Sequence, residues 1–141
     1  MNQTPVIREF LQGDYDSLME LWDETDMGGR ERGDNLETIR ATIDIGGRLF
    51  VMEGDWGAII GSSWLSLDGR RMYLHHFAIH PDYQGKGLSK GLLDKSMEYC
   101  RAVGLQVKLE VHKENYKAIR LYEGYGFRDL EGYKVSIIRD I

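Results

Sequence analysis

The spacing of apolar positions changes period along the chain, and those changes divide it into elements. Residues 6–10 form a short apolar run that reads as a strand. Behind Asp14, a residue suited to cap a helix, Tyr15, Leu18, Leu21 and Trp22 recur at helical spacing. Gly28, Gly29 and Gly33 break that helix. Asp34 and Glu37 then stand at capping-box spacing ahead of Leu36, Ile39 and Ile43, and Gly46 and Gly47 end this second helix. From there the period is extended, and residues 48–53, 58–66 and 72–79 read as three strands. The turn residues Gly54, Asp55 and Gly57, then Asp68 and Gly69, join them closely enough to make neighbours antiparallel. A third helix starts at Leu88 or Ser89 and gathers Leu92, Leu93, Ser96, Met97 and Cys100 on one face, with Gly104 as its stop. Residues 107–111 read as a strand, 115–123 as a short helix and 133–138 as a final strand. This order gives an α+β class with a mixed sheet, and with no repeat or linker in it, residues 1–141 are expected to form one domain.

Composition narrows the classes. Across 141 residues, 42% hydrophobic and 29% charged positions suit a folded domain and exclude a disordered chain. No apolar run approaches the ~20 residues of a membrane-spanning helix, and the opening MNQTPVIREF is not expected to be a signal peptide. Cys100 is the single cysteine, so a reducing, cytoplasmic setting is expected. The net charge of −5 divides into −6 over residues 1–50 and +1 over the remainder. An acidic total argues against sequence-independent nucleic-acid binding, which needs clustered cations. Between Asp14 and Asp26 lie six carboxylates and no cation: either a solvated helix face or the rim of a pocket for a cationic ligand.

The most informative stretch runs from Ile79 through His80, Pro81, Asp82 and Tyr83 to Gln84, Gly85, Lys86, Gly87, Leu88 and Ser89. An apolar strand passes through a glycine-containing turn straight into an amphipathic helix. Such a turn can aim several backbone N–H groups at one anion, and the helix N-terminus adds about half a positive charge. Glycine permits close approach of backbone to phosphate, and Lys86 can add a direct contact. Two familiar phosphate motifs do not fit. The dinucleotide fingerprint needs a third glycine where Lys90 stands, and a P-loop needs Ser or Thr after its lysine, where Gly87 stands.

Downstream, Leu109, Val111, Asn115, Ala118, Tyr122, Gly126 and Phe127 add a second fixed pattern. Together with Gln84-x2-Gly87 behind Ala78-Ile79-His80-Pro81, it resembles the GNAT superfamily of acyl-CoA-dependent N-acyltransferases. The family's loop ends in Gly or Ala where Ser89 stands here, a small residue that also starts a helix well. The resemblance spans nearly the whole chain. It implies a three-layer fold in which a central, mixed, mostly antiparallel sheet is splayed between its fourth and fifth strands and flanked by helices. It also implies acetyl-CoA as co-substrate and no metal. Pantetheine would lie along Phe77, Ala78 and Ile79, the pyrophosphate on the amides from Gln84 to Ser89, Asn115 against the cofactor and Tyr122 near its sulfur.

N-acyl transfer by direct attack requires a deprotonated amine, a donor for the developing oxyanion and a proton for the leaving thiolate. By the same resemblance the Phe77 amide is the oxyanion donor and Tyr122 the general acid. The base would stand two or four residues before Phe77, at His75 or Tyr73. Tyr73 is uncharged at neutral pH, unlike the glutamate of the histone-acetylating branch. His75 could accept the proton directly or through water, and family members also bind the neutral amine or pass the proton through water chains. Strand alternation puts Tyr73, His75, Phe77 and Ile79 on one side and His76 and His80 on the other, and the resemblance makes His80, which precedes Pro81 in a common family pattern, structural. Trp22, Asp23, Asp26, Met27, Arg30 and Glu31 are expected beside the acceptor, where acids next to an aromatic suit a primary ammonium. The expected partner is a small-molecule or peptide amine, with no nucleic acid and no membrane, and a homodimer is compatible with the family. Two other readings share the loop: a non-catalytic acyl-CoA-binding sensor or regulatory module, and an unrelated nucleotide-phosphate binder. The second leaves Asn115 and Tyr122 without a role.

Overall fold

Five strands form one open sheet in the order β1 (Val6–Glu9), β2 (Arg48–Glu53), β3 (Ile59–Leu67), β4 (Arg71–Ile79) and β5 (Gln106–Leu109). The first three junctions are antiparallel and β4–β5 is parallel. That single parallel junction follows from the connection: a short turn returns a strand antiparallel, whereas β4 reaches β5 through the helix α3 (Leu88–Val103). The computed structural model describes residues 4–28 and 32–141. Gly29, Arg30 and Glu31, named above, lie outside these residues. By its contacts the chain divides into two units, Met1–Leu109 with the sheet, α1 (Tyr15–Glu24), α2 (Leu36–Asp44) and α3, and Glu110–Ile141 with α4 (Tyr116–Tyr125).

Alternation in β2 and β3 sends two sets of side chains to opposite faces. Leu49, Val51 and Trp64 pack with Leu18, Leu21 and Trp22 of α1 and Ile39 of α2. Phe50 and Ser63 face α3, where the Phe50 ring meets Tyr99 edge-on and the Ser63 hydroxyl pairs with that of Ser96 at 2.7 Å. Trp22 and Trp64 stack with centroids 5.5 Å apart at an interplanar angle of 9°. Trp22 is 1% exposed and its indole N–H donates to Ser62 Oγ at 2.8 Å, so it is a core residue and not the pocket-lining aromatic expected from the sequence. Ser62 in turn donates to the His76 carbonyl at 2.6 Å. Replacing Ser62 with alanine leaves a buried indole donor unsatisfied. The expected loss, read from the denaturant midpoint, is about 1–3 kcal/mol.

Three local expectations are corrected. Asp14 stands at the start of α1, but its carboxylate caps nothing there: it accepts from Arg8 at 2.7 and 2.9 Å and from the Leu11 amide at 2.8 Å. The cap of α2 is Asn35, which accepts from the Thr38 amide at 2.9 Å, so the capping-box reading is off by one residue. Residues 133–138 form no strand, and Tyr133, Val135, Ile137 and Ile138 are exposed. Alternation makes a strand only where an adjacent edge supplies backbone partners.

Candidate active site

Strand β4 carries a bulge. Ser62 faces Ala78 and Trp64 faces His75, so His76 and Phe77 together oppose the single residue Ser63. His76 sits at φ +47°, a left-handed conformation that costs a non-glycine residue of order 1–3 kcal/mol and persists only where its surroundings fix it. The Ser62 bond to its carbonyl is one such restraint. The extra residue breaks the alternation expected from the sequence. His76 joins His75 on the α1/α2 face, with ring centroids 5.0 Å apart and Nδ1 atoms 2.7 Å apart. Ile79 moves to the α3 face, where its Cδ1 lies 3.0 Å from the Cβ a residue at Gly61 would carry, beside Met52.

The two rings sit in a line of polar contacts. His76 Nε2 lies 2.9 Å from Asp34 Oδ2 and His75 Nε2 lies 3.2 Å from Ser66 Oγ. Trp22 and Trp64 wall them, with centroids 4.4 Å from His76 and 4.6 Å from His75. Ser66 and Tyr73 also line a pocket of about 340 Å³ with Asp68, Arg70, Arg71 and Lys108. Burial, then the neighbouring His76, hold the His75 ring neutral down to about pH 3, against a weaker opposite pull from Asp34. An imidazole whose pKa is depressed from 6.5 to about 3 by folding stabilises the fold fully above pH 6.5, where neither state binds the proton. That stability is lost as pH falls toward 3, with a slope of up to about 1.4 kcal/mol per pH unit. His75→Gln is expected to flatten the dependence, read from denaturant midpoints at about pH 7 and about pH 4.5; an unchanged slope would count against a buried neutral ring.

At the end of β4, His80 opens a single turn, Pro81–Tyr83. Its Nδ1 accepts from the Asp82 amide at 3.1 Å, which leaves Nε2–H to donate to Glu24 of α1 at 2.5 Å, the structural role expected for it. Gln84 then folds back, its side-chain amide donating to the Ile79 carbonyl at 2.8 Å and tying the loop to the strand. Gly85 and Gly87 take φ +78° and +75°, and no atom lies within 4 Å of the Cβ either position lacks. Gly87 is the N-cap of the 16-residue helix α3, has no side chain to cap it, and no acid stands in the first turn. The amides of that turn have no intrahelical acceptor, so they and the helix dipole face open space. Lys86 is exposed at the same loop, its Nζ 5.2 Å from the Tyr83 ring centroid. Backbone N–H groups at a helix N-terminus are the kind of donors that suit an anion such as a diphosphate. Alongside it, the β4–β5 ladder stops at Leu74 and Leu109 while β4 continues to Ile79. β5 ends at Leu109, so the second half of β4 has no β5 partner and the sheet is not closed.

In the second unit Asn115 caps α4, accepting from the Ala118 amide at 3.3 Å. Tyr122 is 8% exposed, meets Phe127 edge-on at 5.8 Å, and burial pushes its hydroxyl up to about 12. Cys100, 2% exposed in α3, has its thiol pushed up to about 11, chiefly by burial.

The acetyltransferase (GNAT) family model matches residues 15–127. The chain belongs to the GNAT family. An acetyltransferase of Yersinia enterocolitica is 29% identical over 118 residues, 83% of either chain, and one of Pectobacterium atrosepticum matches to the same extent. Among solved structures, an acetyltransferase of Streptococcus agalactiae superposes with a TM-score of 0.81 at 20% identity, over 96% of this chain and 92% of its own. A Salmonella typhimurium protein assigned as an acetyltransferase and solved with its cofactor acetyl-CoA superposes at 0.73 and 22% identity, over 89% and 80%. The open, mixed, helix-flanked sheet of this GNAT chain is therefore the expected architecture, and among its described residues no helix is long and apolar enough to cross a membrane.

Within this GNAT chain, three residues of the site escaped sequence reading: His76, Asp34 and Gly28. A Cβ at Gly28 would lie 2.1 Å from Asp34 Oδ2 and 3.0 Å from His76 Nε2, so glycine is what lets the carboxylate and the ring meet. Gly28 was a visible breaker in the sequence, but the ring it faces, His76, stands far along the chain.

Proposed function

We propose that this GNAT chain is an acetyl-CoA-dependent N-acetyltransferase that moves an acetyl group to a primary amine, small molecule or peptide, by direct attack in a ternary complex. The observation that carries the reading is the uncapped N-terminus of α3 behind two left-handed glycines, placed where β4 ends. Backbone from Gln84 through Gly85, Lys86, Gly87 and Leu88 to Ser89 takes the diphosphate, with Phe77, Ala78 and Ile79 along the pantetheine and Asn115 as a further contact. Acetyl-CoA supplies the activated acyl group. His75 takes the amine's proton and Tyr122, protonated throughout the working range, supplies one to the departing sulfur. The inert thiol of Cys100, the one cysteine of the chain, supports direct attack over a cysteinyl intermediate.

The test is release of free thiol from acetyl-CoA across polyamines, amino acids, aminoglycosides and peptide N-termini. Turnover with at least one primary amine is expected. Silence across the panel, with coenzyme A still bound, would leave the non-catalytic module instead.

A further inference from the structure

We propose that the proton taken up at His75 does not stay there but crosses the Nδ1–Nδ1 contact to His76, where Asp34 holds the charge. This rests on the reading of His75 as base, and it makes His76 and Asp34 positioning residues that act through His75. The contacts form a line: Ser66 Oγ, His75 Nε2 at 3.2 Å, His75 Nδ1 to His76 Nδ1 at 2.7 Å, and His76 Nε2 to Asp34 Oδ2 at 2.9 Å. With both rings neutral the donors can run only one way. A carboxylate only accepts, so His76 carries its proton on Nε2 and offers a lone pair at Nδ1. His75 must then carry its proton on Nδ1, which leaves His75 Nε2 as a lone pair facing Ser66, the end of the line that opens on the pocket.

One added proton reverses the line and balances. The amine N–H bond breaks and a proton arrives at His75 Nε2, directly or by way of the Ser66 hydroxyl, which gives up one proton as it gains another. The His75 Nδ1–H bond breaks, and a bond to His76 Nδ1 forms. His75 ends neutral with its proton on Nε2, and His76 ends as an imidazolium beside Asp34. The charge settles there because the groups facing the rings are unequal. His75 has Trp64, Ser66 and Tyr73 around it, none a carboxylate, whereas His76 touches Asp34 from the turn before α2, with Trp22 of α1 on its other side. The depressed pKa of His75 agrees, since a cation is unwelcome on that ring. Two unusual backbone features serve this one arrangement: the bulge with His76 at φ +47°, and Gly28 at φ +81° against the carboxylate.

Long-range proton–nitrogen NMR of the histidine rings in the wild-type protein tests the line without any turnover. At neutral pH His75 is expected as the Nδ1–H tautomer and His76 as the Nε2–H tautomer. On acidification His76 should become doubly protonated first, with His75 switching to Nε2–H. A His75 that starts as Nε2–H, or that gains a second proton before His76, overturns the proposal. Kinetics supply a second arm. Asp34→Asn keeps an acceptor but removes the counter-charge, so the acid limb of kcat/KM should move down by about one pH unit while the plateau kcat falls about tenfold. Gly28→Ala, which pushes the carboxylate off the ring, should do the same. His76→Asn suits the left-handed backbone and should lower kcat about as far as Asp34→Asn, with KM for acetyl-CoA unchanged. An acid limb that stays in place in Asp34→Asn overturns the relay while leaving His75 as base. Absent turnover in the wild type would instead sink the proposed function, with the tautomers still deciding the direction of the line.

Discussion

Replacing Tyr122 with phenylalanine is expected to lower kcat by about a hundredfold while leaving coenzyme A affinity within about twofold of wild type. The substitution keeps the ring, and with it the edge-on contact to Phe127 at 5.8 Å, and removes only the hydroxyl. Burial holds that hydroxyl's pKa at about 12, so at neutral pH it is a donor and not a phenolate. A thiolate leaving group without a proton source leaves more slowly, and the chemical step alone carries the loss. Steady-state kinetics with saturating amine, paired with a binding titration, separate the two quantities. A fall in kcat below about threefold would remove Tyr122 from the chemistry and leave it a core aromatic of α4.

Gly87→Val is expected to weaken coenzyme A binding by about a hundredfold. Two effects add. A β-branched residue at φ +75° is strained by more than the ~1–2 kcal/mol that any side chain meets in the left-handed region, and relaxing that strain turns the first-turn amides of α3 away from one focus. The added methyls also occupy the open space over those amides, where no atom lies within 4 Å of the new Cβ. Gly104 is an internal control: it ends the same helix at φ +81° with equally open surroundings. Gly104→Val should cost comparable stability in thermal unfolding and leave coenzyme A affinity unchanged. Equal loss of affinity in both variants would mean that the effect is helix stability and not a cradle.

What the sequence disclosed and what it hid divide along physical lines. Helices α1 to α4 and the strands of the sheet show in the spacing of apolar side chains because each buries one face, and the loop from Gln84 to Ser89 shows because Gly85 and Gly87 mark the left-handed turn from a strand into a helix. The bulge at His76 and Phe77 left no compositional mark, since one added residue changes the register of a strand without changing its hydrophobicity. Its consequence was large: His76 moved from the far side of the sheet into contact with His75. Asp34 was misread for a related reason. Asp34 and Asn35 are both competent caps, and only the tertiary contact of Asp34 with a ring 42 positions later decides which one is left to cap. Trp22 looked like a binding aromatic because its neighbours Asp23 and Asp26 are acidic, yet its partner is Trp64, brought in by the sheet. Residues 133–138 have the alternation of a strand and lack a ladder, which is a property of the neighbouring edge and not of the segment.

The proposed acetyl transfer requires coenzyme A to seat its diphosphate on the backbone ahead of α3. Isothermal titration of coenzyme A into the wild-type protein and into Gly87→Val decides this. One site per chain in the wild type, with affinity lowered in the variant, is expected. No binding heat in the wild type at any temperature, or identical isotherms for the two proteins, would contradict it.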